Sequence, residues 1–285
     1  MELTEILTHA HNNELTPIVP TPILKIKRQN AFTLIEMSIV MVIIGLIVAA
    51  ISAAQGMVKQ NQLRTVMSDL AFYQSALNTF KSTFGALPGD MRNATTIWPT
   101  TTNGNGNGYI ETSAGEDLPS WQQLALAGII PGNYKGTGGQ IPGVTVPALK
   151  YDTSVGFDYD QANGVTFFGL LNFGNNFNMM TISGSLNACC GQLNGGAFKA
   201  IDTYNIDSKI DDGIPNTGNI MASAGFPNIS AGFCTTQQYT APLGAIVNYV
   251  LTDNGPNCRI YYPNSSTVGI IVRIRRITMP QLPCW

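Results

Sequence analysis

Lys27-Arg28-Gln29-Asn30-Ala31-Phe32-Thr33-Leu34-Ile35-Glu36 leads into an almost unbroken apolar run from Met37 to Val58. Glu36 is the one charged residue between Phe32 and Val58, a span of 27 residues. About 20 apolar residues in a helix rising ~1.5 Å each are enough to cross the hydrocarbon core of a bilayer. An ordinary solvent-facing helix does not read this way. A carboxylate in the centre of such a run costs about 2.5 to 3.5 kcal/mol even on a mild insertion scale, so Glu36 asks for a reason.

Basic residues, a small residue, Phe-Thr-Leu-Ile-Glu and an apolar helix in that order resemble the type IV prepilin and type II secretion pseudopilin signal. The resemblance covers roughly residues 25–84. It implies that a membrane prepilin peptidase and N-methyltransferase cuts between Ala31 and Phe32 and methylates the new amino group of Phe32. It also implies that Glu36 meets the Phe amine of a neighbouring subunit during assembly, which would neutralise two charges in an apolar bundle. Two other readings compete: a conventional signal peptide cut within Ala50-Ile51-Ser52-Ala53-Ala54, and a plain signal anchor. The h-region of a signal peptide is about 7 to 15 residues, and this run is longer and lies after a long leader.

The expected organisation is a leader over 1–31, a membrane or filament-core half-helix over 32–58, an amphipathic half-helix over 59–84 and a β-rich extracytoplasmic domain over 85–285. The leader balances Glu2, Glu5 and Glu14 against Lys25, Lys27 and Arg28. Its basic residues sit beside the apolar run, which by the positive-inside rule puts that end in the cytoplasm and everything after Val58 across the membrane. The resemblance then implies a bacterial inner-membrane protein, single-pass, that moves into a pilus or pseudopilus filament. Its partners would be the peptidase, other pilin or pseudopilin subunits, the inner-membrane assembly platform and, before assembly, the lipid bilayer.

Beyond the run, Leu63, Val66, Met67, Leu70, Tyr73, Leu77, Phe80 and Phe84 recur at three- and four-residue steps, one apolar helical face. Arg64, Asp69, Gln74, Asn78 and Lys81 occupy the other side, and Gly85 and Pro88 supply a stop. The texture then changes to short β-like runs between Gly, Pro and Asn turns. Ser120 is placed to cap a short helix from Trp121 to Ala127. Strands are expected at 164–171, 179–182, 244–251 and 268–277. A long N-terminal helix packed on a C-terminal antiparallel β-rich domain, an α+β pilin-like fold, is the expectation.

Only 11% of residues are charged and the net charge is −2, which fits a β-rich secreted domain and offers no global basic excess for nucleic acid. Arg259, Arg273, Arg275 and Arg276 concentrate positive charge late in the chain, where a solvated strand end is the favoured reading. All five cysteines, Cys189, Cys190, Cys234, Cys258 and Cys284, lie in the translocated part, a placement that suggests structural disulfides. A Cys234–Cys258 bond would restrain the Gly- and Pro-containing loop between them, and Cys284 is expected to reach back to Cys189 or Cys190. A cysteine metal site is disfavoured: no CxxC occurs, and His9 and His11 lie in the leader.

Two stretches invite calcium. Asn103 to Ile110 has the spacing of the first half of a calcium loop, but Ala114 stands where the bidentate acid belongs, so a flexible surface loop is the favoured reading. Asp202, Asn205, Asp207, Asp211 and Asp212, ending at Gly213, are the stronger candidates for a structural calcium, since their carboxylates repel unless solvated or bridged. The rival reading is a helix end entering a turn, with Ile206 and Ile210 as its buried face. For catalysis there is no histidine past the leader, and Asp158 and Asp160 are an unremarked carboxylate pair. The expected function is structural, with a roughly 200-residue domain pointing to a minor subunit. An anchored binding module, and more remotely an anchored enzyme, are the rivals.

Overall fold

A computed structural model describes residues 32–150, 152–162, 177–184, 193–225, 232–236 and 247–263. The chain falls into two compact units, Met1–Ala53 and Ala54–Trp285. In the first unit the described residues belong almost wholly to the start of helix α1 (Leu34–Phe84), and the apolar side chains there are exposed. This helix is long and apolar enough to cross a membrane, with none of its most apolar stretch buried by protein.

In the second unit the anticipated α1 face is the one that packs. Leu63, Val66, Leu70, Leu77 and Phe80 are in the core, and Met67, Tyr73 and Phe84 lie partly buried against it. Each fully buried side chain of this size contributes about 1.5–3 kcal/mol. The polar side is not uniformly wet, however. Asp69 and Gln74 are buried, and Asp69 Oδ1 takes the Lys150 ammonium at 2.5 Å. A polar residue goes inside when a partner from far along the chain comes to meet it. Gly85, at φ +73°, ends the helix, its N–H donating to Lys81 O.

The short α2 (Ala94–Ile97) follows, and then α3 (Asp117–Leu126). Helix α3 begins four residues before the expected start. Ser120 lies inside it, with its Oγ donating to Asp117 O, and does not cap it. Pro119 in the first turn has no N–H to leave unsatisfied, and Asp117 faces the positive end of the helix. Gly128, at φ +70°, closes the other end.

Strands β1 (Ala148–Leu149), β2 (Asp152–Ala162), β3 (Phe177–Gly184), β4 (Met221–Ala224) and β5 (Cys258–Pro263) form one antiparallel sheet in the order β1-β2-β3-β5-β4. The long β2–β3 pair sets the frame, from Val155 opposite Gly184 to Ala162 opposite Phe177. The expected strand at 179–182 lies within β3. Those at 164–171 and 268–277 lie outside the described residues. Of the expected 244–251 strand, the described part forms an isolated bridge, Thr235 with Tyr249, and a turn at Leu251.

An aromatic cluster joins the layers of this unit. Trp121 of α3 stacks on Tyr159 of β2 with centroids 4.3 Å apart and meets Tyr73 of α1 edge-on at 5.2 Å. Tyr73 also packs on Phe157, and its carbonyl accepts the Tyr159 hydroxyl at 3.1 Å. The result is an α+β arrangement of a long N-terminal helix followed by an antiparallel five-stranded sheet domain.

Candidate functional site

The first four N–H groups of any helix lack intrahelical acceptors. At the start of α1, Thr33 and Glu36 satisfy two backbone donors reciprocally. Glu36 Oε2 accepts from Thr33 N at 2.7 Å and from Thr33 Oγ1 at 2.8 Å, while Glu36 N donates to Thr33 Oγ1 at 3.2 Å. This is a capping box, Thr-x-x-Glu at the N-cap and third helical positions. The sole charge of the apolar run therefore has a partner within its own chain. Thr33 is the partner that reading the run for charge alone overlooks, and its three-residue spacing from Glu36 is the visible signal. Phe32, one residue earlier, is 75% exposed, and Ala31 lies outside the described residues.

A second grouping forms where helix α4 (Ala200–Ile210) ends. Carboxylate oxygens of Asp207, Asp211 and Asp212 lie within 4.8 Å of one another. Asp202 is not among them: one helical turn and more away, it pairs with Lys59 at 2.7 Å. Asn205 lies on the half-buried side of α4, its carbonyl accepting from Ser208 Oγ. Of the five residues expected to act together, three converge. The helix-end reading also holds in its outline, since Ile206 is fully buried and Ile210 packs on the core from a partly buried position.

The three carboxylates already have hydrogen-bond donors. Tyr249 Oη donates to Asp207 Oδ2 at 2.8 Å and Gly213 N to Asp207 Oδ1 at 3.2 Å. Asp211 Oδ2 accepts from the Asn219 and Ile220 amides, and Asp212 accepts from Ile214 N at 2.9 Å and Thr217 Oγ1 at 2.6 Å. Burial pushes the Asp207 carboxyl up to about 6, with the negative charges of Asp212 and Asp211 adding to the shift and the two donors opposing it. Burial likewise raises Tyr249 well above the ordinary phenol range.

The Asn-Gly segment is not the loose loop expected of it. Asp90 accepts the N–H groups of Asn107 and Gly108, and Glu116 accepts those of Asn105 and Glu111. Glu111 Oε2 takes both the Asn105 and Asn107 side-chain amides, and Asn178 holds Ile110 N–H. Asp90 and Glu116 are buried acids that organise this loop from outside it, and nothing local in the sequence marks Glu116 for that task.

Cys234 and Cys258 are bonded, Sγ to Sγ at 2.04 Å, tying the 232–236 segment to β5. Cys189, Cys190 and Cys284 lie outside the described residues. Arg259 is buried and leaves the basic surface that a nucleic-acid reading needs: its Nε donates to Ser183 Oγ and its guanidinium lies over the Tyr261 ring. Arg273, Arg275 and Arg276 are outside the described residues. Asp158 occupies the face of β2 opposite Val155, Phe157 and Tyr159, where Gln140 Nε2 bridges it to Asp117. The groove along α1 between Ala71 and Thr83, next to Tyr262, presents hydroxyls and amides with no carboxylate, imidazole or thiol.

Residues 26–52 match the family model for the prokaryotic N-terminal methylation motif. Comparison with curated proteins and with solved structures found no match. The matched segment holds Thr33, Glu36 and the exposed apolar start of α1, so the chain carries a prepilin-type signal, and its long helix and antiparallel sheet make a pilin-like α+β arrangement.

Proposed function

We propose that this protein is a minor structural subunit of a type IV pilus or a type II secretion pseudopilus. It is inserted in the bacterial inner membrane through α1 with the 54–285 unit on the periplasmic side, cut between Ala31 and Phe32, methylated on Phe32 and drawn through the assembly platform into a filament. The observation that carries this reading is the self-capped Glu36 at the head of an unburied apolar helix inside the matched motif. The large second unit favours a minor over a major subunit. Intact-mass and N-terminal analysis of the membrane fraction tests it: the expected start is methylated Phe32, and a start at Met1 or after Ala54 would overturn it.

We further propose that a calcium ion bridges Asp207, Asp211 and Asp212. Three carboxylates gathered at one helix end, one of them buried, are a hard-oxygen set of the kind calcium takes. A melt with and without calcium separates this from a turn held by hydrogen bonds alone.

A further inference from the structure

Asn-Gly pairs are chemically weak points, because the glycine nitrogen meets little steric resistance on its way to the side-chain carbon of the preceding asparagine. Five such pairs fall among the described residues, at Asn103, Asn105, Asn107, Asn194 and Asn254. In four the glycine N–H is held: Gly104 by Met91 O, Gly108 by Asp90 Oδ2, Gly195 by Gly184 O and Gly255 by Asp253 Oδ1. Gly106 N–H has no hydrogen-bond acceptor among the described residues, and both Asn105 and Gly106 are exposed.

The Asn105–Gly106 peptide is also activated. Arg92 Nε donates to Asn105 O at 2.8 Å, and its terminal nitrogen reaches Gly106 O at 3.5 Å. When the Gly106 nitrogen loses its proton, the negative charge spreads onto Asn105 O, the atom that the guanidinium holds. A charge-assisted hydrogen bond there stabilises the anion. At Asn107–Gly108 the electrostatics are reversed, since the Gly108 N–H points at the Asp90 carboxylate and an anion would form beside a like charge. Glu111 Oε2 accepts from the amide nitrogens of both Asn105 and Asn107 and so does not discriminate between them.

We propose that Asn105 is a site of spontaneous modification, promoted by Arg92. The Gly106 nitrogen, its proton lost to solvent base, bonds to Asn105 Cγ. The Cγ–Nδ2 bond breaks, and the nitrogen takes a proton and leaves as ammonia. The resulting succinimide is opened by water at one of its two carbonyls, giving aspartate or isoaspartate. No redox partner is involved. The isoaspartate product inserts an extra backbone atom between Asn105 Cα and the Gly106 nitrogen and turns Arg92's acceptor into an oxygen of a free carboxylate, and the aspartate product adds a side-chain negative charge beside Glu111.

The test is peptide mapping of the full chain, purified from membranes in detergent and held in mildly alkaline buffer, with isoaspartyl methyltransferase labelling as the second readout. Conversion at Asn105 should outpace that at Asn103 and Asn107. Arg92→Gln, a change at an exposed side chain, should slow Asn105 conversion roughly tenfold, less than the loss of a donor in a water-excluded oxyanion site. In denaturant the preference should vanish, because the three asparagines then share nearly the same local sequence. Equal or faster conversion at Asn103 or Asn107, an unchanged rate in Arg92→Gln, or a preference that survives denaturation would each overturn the proposal.

Discussion

Thr33 and Glu36 hold each other through one carboxylate oxygen, Oε2, which accepts both donors of Thr33. On the proposed assembly, a neighbour's amine would therefore share that oxygen or use Oε1. The cap that Glu36 makes on its own helix and the pairing with another chain that the prepilin resemblance implies are separable by mutation. Glu36→Val should leave membrane insertion intact while filament recovery falls steeply. Thr33→Val keeps the carboxylate but removes the hydroxyl of the cap, so its recovery should fall between wild type and Glu36→Val. Shearing filaments from cells and immunoblotting both fractions reads the outcome, and normal recovery from Glu36→Val would show that the carboxylate has no assembly role.

Asp207 makes stability depend on pH. Its folded-state value near 6 exceeds the ordinary 3.8, so the folded state binds the proton more tightly than the unfolded state. The stabilisation is complete below pH 3.8 and is lost as pH rises through 6. In chelator, a soluble fragment beginning at Ala54 should show this loss as on the order of 1–2 kcal/mol, a few degrees of melting temperature, superimposed on the other titrations. Asp207→Asn should flatten that part of the profile. A difference between the two profiles confined to pH above 7 would count against Asp207 as its source.

Much of this fold is visible as hydrophobic period, and what is hidden depends on partners distant in sequence. The face from Leu63 to Phe84 and the stop at Gly85 are local signals, and they hold. Asp69 reads as solvent-facing because its partner, Lys150, is 81 residues away. Strand β2 carries Val155, Phe157 and Tyr159 in alternation, but Asp152, Gly156 and Asp158, on the other face of the strand, interrupt the apolar pattern. Strand β5 hides for a different reason. Cys258, Arg259, Ile260 and Tyr261 are all buried, so no alternation shows, and the arginine is inside because Ser183 and Tyr261 receive it. At the acidic turn, sequence proximity gathers five polar residues, but helical geometry turns Asp202 toward Lys59 and leaves three together.

The Cys234–Cys258 bond spans a sequence separation of 24, and closing a loop of that size adds about 3 kcal/mol in the chain-entropy account. A Cys234→Ala, Cys258→Ala double variant should melt roughly 6–10 °C lower for a unit of this size. Non-reducing peptide mapping of periplasm-derived protein should recover the Cys234–Cys258 pair. The same map tests the expected link from Cys284 to Cys189 or Cys190, and a map with all five thiols free would refute both pairings.

Calcium at the acidic turn makes a prediction opposite in sign to that of protonation. A proton stabilises by removing the Asp207 charge, whereas a cation stabilises by using it, so calcium should help most above pH 6, where Asp207 is ionised. Binding to the folded state alone stabilises by about 2.7 kcal/mol at a hundredfold excess over Kd. The hydrogen bonds that Asn219, Ile220, Ile214 and Thr217 give to Asp211 and Asp212 leave each carboxylate further lone pairs, so the ion need not displace them. Melting the Ala54 fragment at pH 7.5 with millimolar calcium, with magnesium and with chelator should show a rise for calcium, a smaller or absent one for magnesium, and none in an Asp211→Asn, Asp212→Asn variant. If wild type and variant respond alike in all three conditions, the cluster is a hydrogen-bonded turn, and the domain rests on its helix, sheet and disulfide without a metal.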